Sequence, residues 1–314
     1  MELFLSSVNV VLPLFLMMAA GWFLKKTRLV TEAGINELNR ANVRFFLPVM
    51  QFANICEGNL LKESDPSFLL FSVSASVLIF LLCMFVAPLF IKDKSRRIAY
   101  VLGVYRPNLA IYGLPLAQSI LGNAEQVSNV LMMISVMILI TNFLAVMAIE
   151  IFKGEKIKPL ILVIRSVNNP VIYGISLGVA AQFLPFSLPQ VLMSPIKSIA
   201  AVATPFAFVV LGASFTLRES GKNIKTISSA TFLKLVATPL LTIPAGVLLF
   251  GFRGASLVAL LCAFATPTAV NVLPLVLEAK GDDKLMGEII VFTTGASILT
   301  IFGFVFVFKL LGFF

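Results

Sequence analysis

The amino-acid sequence predicts an all-α membrane protein with ten transmembrane helices, arranged as two inverted five-helix repeats in which helices 4 and 9 are broken. Three observations predict this class. Hydrophobic residues fill 59% of the 314 positions and charged residues only 12%, whereas soluble domains are about 45–50% apolar and about 25% charged. Basic residues concentrate in alternate loops, and helix-breaking residues recur at a nearly constant spacing.

Apolar stretches separated by short charged clusters set the number of helices. One bilayer crossing needs about 20 apolar residues in helical form. Stretches longer than that can be accommodated by tilt or by interior breaks. The first stretch is expected to be a retained helix, because the chain start lacks the basic residues of a secretory signal. The predicted spans are approximately 5–24, 36–55, 67–91, 98–121, 126–152, 159–183, 190–216, 227–250, 255–278 and 286–311.

The loops between these spans differ in charge. Fifteen Lys and Arg residues lie in the loops that follow the odd-numbered spans, and three lie on the opposite side. Positively charged loops stay cytoplasmic, so both termini are predicted to lie on the extracytoplasmic side of the cell membrane. The net charge of +9 therefore reports topology. A nucleic-acid partner would need a basic face on a soluble fold, and none is expected.

Several residues of the first half recur in the second half. Five spans fall in each half, and an odd number inverts the second repeat relative to the first. The first repeat is residues 1–152, the cytoplasmic linker is 153–158, and the second repeat is 159–314. Inverted repeats are a recurrent feature of secondary transporters. Leu114-Pro115-Leu116 and Gly122 recur 159 positions later, and Pro13, Gly21 and Pro48 recur 157 positions later.

Spans 4 and 9 each carry a proline beside polar residues near mid-span, in segments 105–113 and 265–271. Proline removes a backbone donor and disturbs the preceding turn. Broken helices in a membrane lie inside protein or beside a wet cavity. Paired breaks in two repeats indicate a transporter binding site. The half-helices that begin after the breaks would present partial positive charge at the midplane, which favours an anion.

Nine residues in and near these segments are candidate substrate contacts. Asn108 and Asn271 would add amide donors, and Arg106 would add a full positive charge. Arg106 lies about two turns into its span, so snorkelling to the cytoplasmic surface is an equal alternative. Gln51 in span 2 faces either another helix or a ligand. The complete set is Gln51, Arg106, Pro107, Asn108, Tyr112, Thr266, Pro267, Thr268 and Asn271.

Other charged residues within the spans are interpreted as interfacial. Lys234 lies about as deep in span 8 as Arg106 does in span 4, and snorkelling is the favoured interpretation for it. Arg40 and Arg44 would anchor span 2 at its cytoplasmic edge. The residues placed at the interface because they lie near span ends are Glu150, Arg165, Lys197, Glu278 and Glu288.

The sequence indicates no catalytic, metal or cofactor site. It contains no GxxxxGK[ST] motif and no Ser/His, paired-Asp or HExxH constellation. Histidine is absent, and Cys56, Cys83 and Cys262 lack the spacing of metal ligands. Carboxylates are nearly absent from mid-span, which leaves few proton carriers. Coupling to Na⁺, coupling to H⁺ and transport down the substrate gradient all stay open.

Motifs distributed over nearly the whole chain carry a family resemblance. They are Asn39-Arg40 with Phe45-Phe46-Leu47-Pro48 and Gln51-Phe52, Arg106-Pro107-Asn108 with Tyr112-Gly113-Leu114-Pro115-Leu116 and Gly122, Asn169-Pro170 with Gly178, Pro205 with Leu211-Gly212, and Ala265-Thr266-Pro267 with Asn271, Gly281 and Asp282. In this order they resemble the auxin efflux carrier family, which includes plant auxin exporters and bacterial carriers of malate and malonate. The short central loop and Gln51 make the chain similar to a prokaryotic member.

The resemblance implies an elevator-type carrier whose fold is related to that of bile acid–sodium symporters. Helices 3–5 and 8–10 would form a moving transport domain, and helices 1–2 and 6–7 a scaffold that makes a homodimer. Pro107, Asn108, Pro267 and Asn271 would line the substrate site, with Gln51 facing it from the scaffold.

Three functions are compatible with these features. The leading one is a secondary transporter of a small organic anion, such as malate, malonate or an auxin-like acid. The second is a sodium-coupled symporter of a larger amphipathic organic acid. The third is a membrane sensor that does not transport. An enzyme is not predicted, and the expected partners are the anion, membrane lipids and a second copy of the chain.

Overall fold

The structure, a computed structural model, describes residues 13, 16–57, 66–121, 124–153, 170–184, 188–214 and 217–313. Within these ranges every regular element is helical, apart from one antiparallel bridge between Pro107 and Thr268. The all-α class is therefore confirmed for the described part of the chain. The predicted linker beyond residue 153, the start of span 6, half of span 1 and Gly122 lie outside the described residues.

The described helices form ten segments, which we number α1 to α10. Four of them contain a π-helical turn, in which the backbone bonds skip one residue more than in an α-helix. The bounds are: α1, residues 16–26; α2, Glu32–Ala41, the π turn Asn42–Phe46 and Leu47–Glu57; α3, Pro66–Phe90; α4, Lys94–Tyr105 and, after a break, the π turn Leu109–Gly113 and Leu114–Leu121; α5, Ala124–Phe152; α6, Pro170–Gln182; α7, Gln190–Ser214; α8, Leu217–Phe232, the π turn Leu233–Ala237 and Thr238–Phe250; α9, Gly254–Leu260, the π turn Leu261–Ala265 and, after a break, Val272–Glu278; and α10, Asp283–Leu310.

Four helices among the described residues are long and apolar enough to cross a membrane, by length and composition alone. They are Pro66–Phe90, Gln190–Ala213, Asn223–Phe250 and Asp283–Leu310. Shorter apolar helices occupy Val136–Phe152, Pro170–Gln182 and Gly254–Ala265. These features fit a protein embedded in a membrane. The set of ten transmembrane helices in an inverted repeat stays a prediction.

Several helices begin before the apolar stretch that predicted them. α8 begins at Leu217, ten residues before the predicted span, and α2 begins at Glu32, capped by the Thr31 hydroxyl that accepts from the Gly34 amide at 3.1 Å. Hydropathy marks only the apolar part of a helix, whereas the backbone bonding continues into polar residues until a cap or a breaker ends it.

α4 and α9 are each interrupted at the predicted proline, and local chemistry explains both interruptions. The first half of α4 ends at Tyr105, where Arg106 turns extended at φ −79° and ψ 111°. The first half of α9 ends at Ala265, where Thr266 takes φ −71° and ψ 153°. Each extended residue directly precedes a proline, whose ring disfavours the helical conformation in its neighbour.

Glycines allow two helix pairs to pack backbone against backbone. A Cβ on Gly21 of α1 would overlap the Val209 carbonyl of α7, and a Cβ on Gly212 of α7 would overlap the Met18 carbonyl of α1. Gly174 of α6 meets Pro48 of α2 in the same way. Small residues are the usual means by which membrane helices approach so closely. These contacts join α1 to α7 and α2 to α6.

Two interfacial assignments are wrong. Glu288 is 2% exposed and accepts from the Asn223 amide at 2.9 Å, while Asn223 accepts from Arg96 at 2.8 Å. The start of α10 is therefore covered by α4 and α8. Lys234 is 1% exposed, on the π turn of α8, so it does not snorkel. Glu278, in contrast, is partly exposed and forms an ion pair with Arg44 at 2.7 Å.

Candidate functional site

The two breaks cross and pair with each other. The Asn108 amide donates to the Pro267 carbonyl at 2.9 Å, and the Ala269 amide donates to the Arg106 carbonyl at 3.1 Å. These two bonds form the antiparallel bridge between α4 and α9. Backbone groups freed by a helix break must find partners in an apolar surrounding, and here each break supplies partners for the other. We call this pairing the crossing.

In each half-helix that follows the crossing, some of the first backbone amides already donate to backbone carbonyls. The Tyr112 and Gly113 amides donate to the Asn108 carbonyl at 3.3 and 3.1 Å. The Val272 and Leu273 amides donate to carbonyls of Ala269 and Val270 within the same turn. The second half of α9 is also only seven residues long. The full positive charge near the crossing therefore comes from the Arg106 side chain. The partial positive charge of the helix ends is smaller than the sequence suggested.

Arg106 points into the interior. Its side chain is buried at 2% exposure, so the snorkelling alternative is ruled out. One guanidinium nitrogen donates to the Thr141 hydroxyl at 3.4 Å and another to the Asn271 side-chain oxygen at 3.3 Å. Its Nε has no partner. Both bonds are long and both acceptors are neutral, so the guanidinium retains donors for an anion.

A cavity opens beside Arg106, with about 370 Å³ of atom-free space when the solvent that it opens to is included. It lies between α2, the crossing and α5. Five of the nine candidates line it, namely Gln51, Arg106, Pro107, Asn108 and Asn271. The remaining lining residues are Met50, Asn54, Leu109, Ile138, Thr141, Asn142 and Ala269. We call it the crossing cavity.

The other four candidates lie outside this lining, in contacts that hold the crossing together. The Thr266 hydroxyl donates to the Cys262 carbonyl at 2.7 Å, and the Thr268 hydroxyl donates to the Gly103 carbonyl at 2.6 Å. Tyr112 is buried and accepts from the Ser297 hydroxyl at 3.2 Å. Pro267 supplies the carbonyl that pairs with Asn108. Their contact with a substrate stays a prediction.

Polar atoms without partners make the crossing cavity a candidate binding site. The Asn108 side-chain nitrogen and the Gln51 side-chain oxygen are buried and unbonded, like the Nε of Arg106. Unsatisfied buried polar groups are rare in folded proteins, and a bound ligand is one explanation for them. Two of the three atoms are donors, and none of the lining residues is acidic. The arrangement is suited to a carboxylate.

Thr141 and Asn142 line the crossing cavity but are not among the nine candidates. Thr141 donates to the Met137 carbonyl at 2.7 Å, a bond within its own helix that gives no signal in the sequence. Asn142 donates to the Ile138 carbonyl at 2.7 Å and accepts from Gln51 at 3.4 Å. The sequence did contain one indication of these residues, because Thr141 and Asn142 are adjacent polar residues in the apolar middle of α5. A pair of this kind indicates a helix face that meets protein or a cavity and not lipid.

Comparison with known proteins adds one positive finding. The sequence profile of a family described as "Membrane transport protein" matches residues 6–305. No curated protein matches the chain. The match covers both breaks and every residue that lines the crossing cavity.

Proposed function

The chain belongs to the membrane transport protein family, the family of the auxin efflux carriers, and from this premise we propose that it is a secondary transporter of a small organic anion. Malate, malonate and auxin-like acids are the candidate substrates. The observation that carries the proposal is Arg106, a guanidinium buried in the crossing cavity beside neutral partners only. The family is one of transporters and not of enzymes.

The charge of Arg106 argues for an anionic substrate. A lone charged side chain at membrane depth costs at least about 2.5–3.5 kcal/mol. A carboxylate can accept two parallel bonds from a guanidinium, which is one of the strongest polar pairings in proteins. The free nitrogen of Asn108 lies on the same cavity wall and can donate to the same carboxylate. A single carboxylate would therefore balance the charge of this cavity.

The position of the crossing cavity supports an elevator mechanism. Its walls come from α2 on one side and from α4, α5 and α9 on the other. We propose that α1, α2, α6 and α7 form a scaffold, which dimerises, and that α3–α5 and α8–α10 move against it. The glycine contacts of α1 with α7 and of α2 with α6 support a rigid scaffold. The second five-helix repeat would be inverted relative to the first, and both termini would lie on the extracytoplasmic side.

We expect Asn108→Ala to weaken binding of the transported acid about tenfold or more, because a hydrogen bond to a charged group is worth about 1.5–3 kcal/mol. Titration of the purified protein with a panel of dicarboxylates, monocarboxylates and indole acids, followed by thermal unfolding, measures the affinity. Asn36→Ala is the matched control, because Asn36 is exposed on α2. Equal affinity in both variants would remove Asn108 from the site.

Uptake of the same acids into proteoliposomes tests transport itself. We expect uptake of at least one small carboxylate, driven by its own gradient. Replacing sodium by potassium in this assay separates the leading proposal from sodium-coupled symport of a larger acid. Protein that is folded, binds none of the panel and transports none of it would refute the proposal.

The ion pair of Arg44 with Glu278 gives a test of domain movement, since it joins α2 to the second half of α9. Both side chains are partly exposed, so the pair is worth no more than about 1 kcal/mol. We expect Arg44→Glu to change the uptake rate by a factor of up to about five, and the swap Arg44→Glu with Glu278→Arg to restore it. Independent effects of the two substitutions would argue against a link across moving parts.

A further inference from the structure

A second cavity lies on the other side of the crossing. It has room for about one water-sized sphere and is bounded by α3, α4, α5, α8 and α9. Pro107 and Thr141 line both cavities and form the wall between them. The full lining is Ser76, Ile79, Tyr105, Pro107, Thr141, Lys234, Thr238, Ala263 and Phe264. We call it the rear cavity.

Lys234 supplies to the rear cavity an amino group that is positively charged when protonated. The side chain is 1% exposed, and no hydrogen bond or ion pair joins it to any other residue that the structure describes. Taking an ammonium group out of water costs several kcal/mol unless an opposite charge or several acceptors replace the water. None of the residues that line the cavity is acidic.

The neighbouring polar groups in the rear cavity are hydroxyls. The Tyr105 hydroxyl is buried and has no partner, and Thr238 and Ser76 add two more hydroxyls. A hydroxyl can turn its hydrogen towards an acceptor. The ammonium group and the Tyr105 hydroxyl line one small space and can both donate to an acceptor bound there, whereas the Ser76 hydroxyl already donates to the Met137 sulfur at 4.0 Å.

The charges on the two sides of the wall also favour an anion. Arg106 and Lys234 are both buried, with Pro107 and Thr141 between their cavities. Among the described residues Glu288 is the one buried carboxylate, and it accepts from Asn223 outside both linings. Two like charges in an apolar interior repel each other. An organic anion bound to Arg106 would neutralise only one of them.

We propose that the rear cavity binds a small inorganic anion of the size and charge of chloride, held by Lys234 and Tyr105. The space suits an ion of about the size of one water molecule, and it is too small for an organic acid in addition to the existing side chains. The bound ion neutralises Lys234 and satisfies the Tyr105 hydroxyl. This site is separate from the crossing cavity and does not depend on which solute is carried.

Thermal unfolding of the full chain in detergent tests the site. Sodium chloride and sodium bromide are titrated against the sodium salt of a bulky morpholine sulfonate at constant ionic strength. We expect a saturable rise of several degrees in the unfolding temperature with either halide, because a ligand that binds only the folded state stabilises it. No halide-dependent rise in the unmodified chain would overturn the proposal.

Two variants assign the effect to the rear cavity. Lys234→Met should abolish the halide-dependent rise, and Tyr105→Phe, which removes only one donor, should weaken halide affinity about tenfold. Lys225→Met is the matched control, because Lys225 is exposed on the same helix. If Lys234→Met does not fold, Tyr105→Phe still tests whether halide binds in the rear cavity. Unchanged halide affinity in Tyr105→Phe would overturn the proposal.

A comparison with Arg106→Gln separates this site from the substrate site. Stabilisation by organic acids should be lost in Arg106→Gln and kept in Lys234→Met, whereas stabilisation by halide should be kept in Arg106→Gln. Loss of the halide effect in Arg106→Gln alone would place the halide in the crossing cavity and refute the rear site. Loss of organic-acid binding in both variants, with the halide effect intact in Arg106→Gln, would leave the rear site standing and revise the proposed function.

Discussion

Arg106→Gln removes binding of organic anions, with an expected loss of affinity of about a hundredfold or more. Truncating one member of a buried, hydrogen-bonded charge pair costs about 2–5 kcal/mol in binding. Arg106 supplies the full positive charge in the crossing cavity lining. Glutamine keeps an amide donor but loses the charge and the paired geometry of the guanidinium. Titration with organic acids, followed by thermal unfolding and by uptake, measures the loss.

The same substitution should leave the empty protein at least as stable as before. No acidic side chain lines the crossing cavity to pair with Arg106, so removal of its charge relieves a desolvation cost. A group needed only for folding would behave in the opposite way. Arg40→Gln is the matched control, because it removes the same charge from an exposed position on α2. If Arg106→Gln lowers the unfolding temperature and leaves affinity unchanged, the guanidinium is structural.

Gly174→Ala destabilises the chain by an expected 3 kcal/mol or more, about the upper range for an overpacked core. The added Cβ would overlap the backbone carbonyl of Pro48, which cannot rotate away as a side chain can. α2 and α6 must then separate, and the α2 wall of the crossing cavity, with Gln51, moves with them. We expect a lower unfolding temperature and weaker binding of organic acids.

Gly295→Ala is the matched control for this substitution. Gly295 also lies inside a helix, α10, but a Cβ there meets nothing within 4 Å. Alanine is a better helix former than glycine by about 1 kcal/mol, so this variant should be unchanged or slightly stabilised. Equal unfolding temperatures for the two variants would show that α2 and α6 are not packed backbone to backbone.

The helix breaks could be predicted because their cause is local. A proline acts on its own residue and on the residue before it, whatever surrounds them. Pro107 and Pro267 therefore end α4 and α9 where the sequence indicates. The apolar composition is equally local in its effect, and it indicated a helical protein suited to a membrane before any packing was known.

The direction of each side chain could not be predicted in the same way. Asn271 and Thr268 lie three residues apart in one predicted segment, yet Asn271 lines the crossing cavity while Thr268 donates to the Gly103 carbonyl. Lys234 and Glu288 are long enough to reach an interface, and both are buried. Burial depends on which neighbouring helices cover a position.

The amino-acid sequence by itself thus determined where the helices lie, where they break and which polar residues are near the breaks. Prolines and apolar stretches act over only a few residues. Packing between distant segments determined which polar atoms face a common space. The crossing brings Arg106 next to Asn271, 165 positions away, and α8 brings Lys234 behind it. Contacts of this range depend on the whole fold, since no local property of either residue specifies its partner.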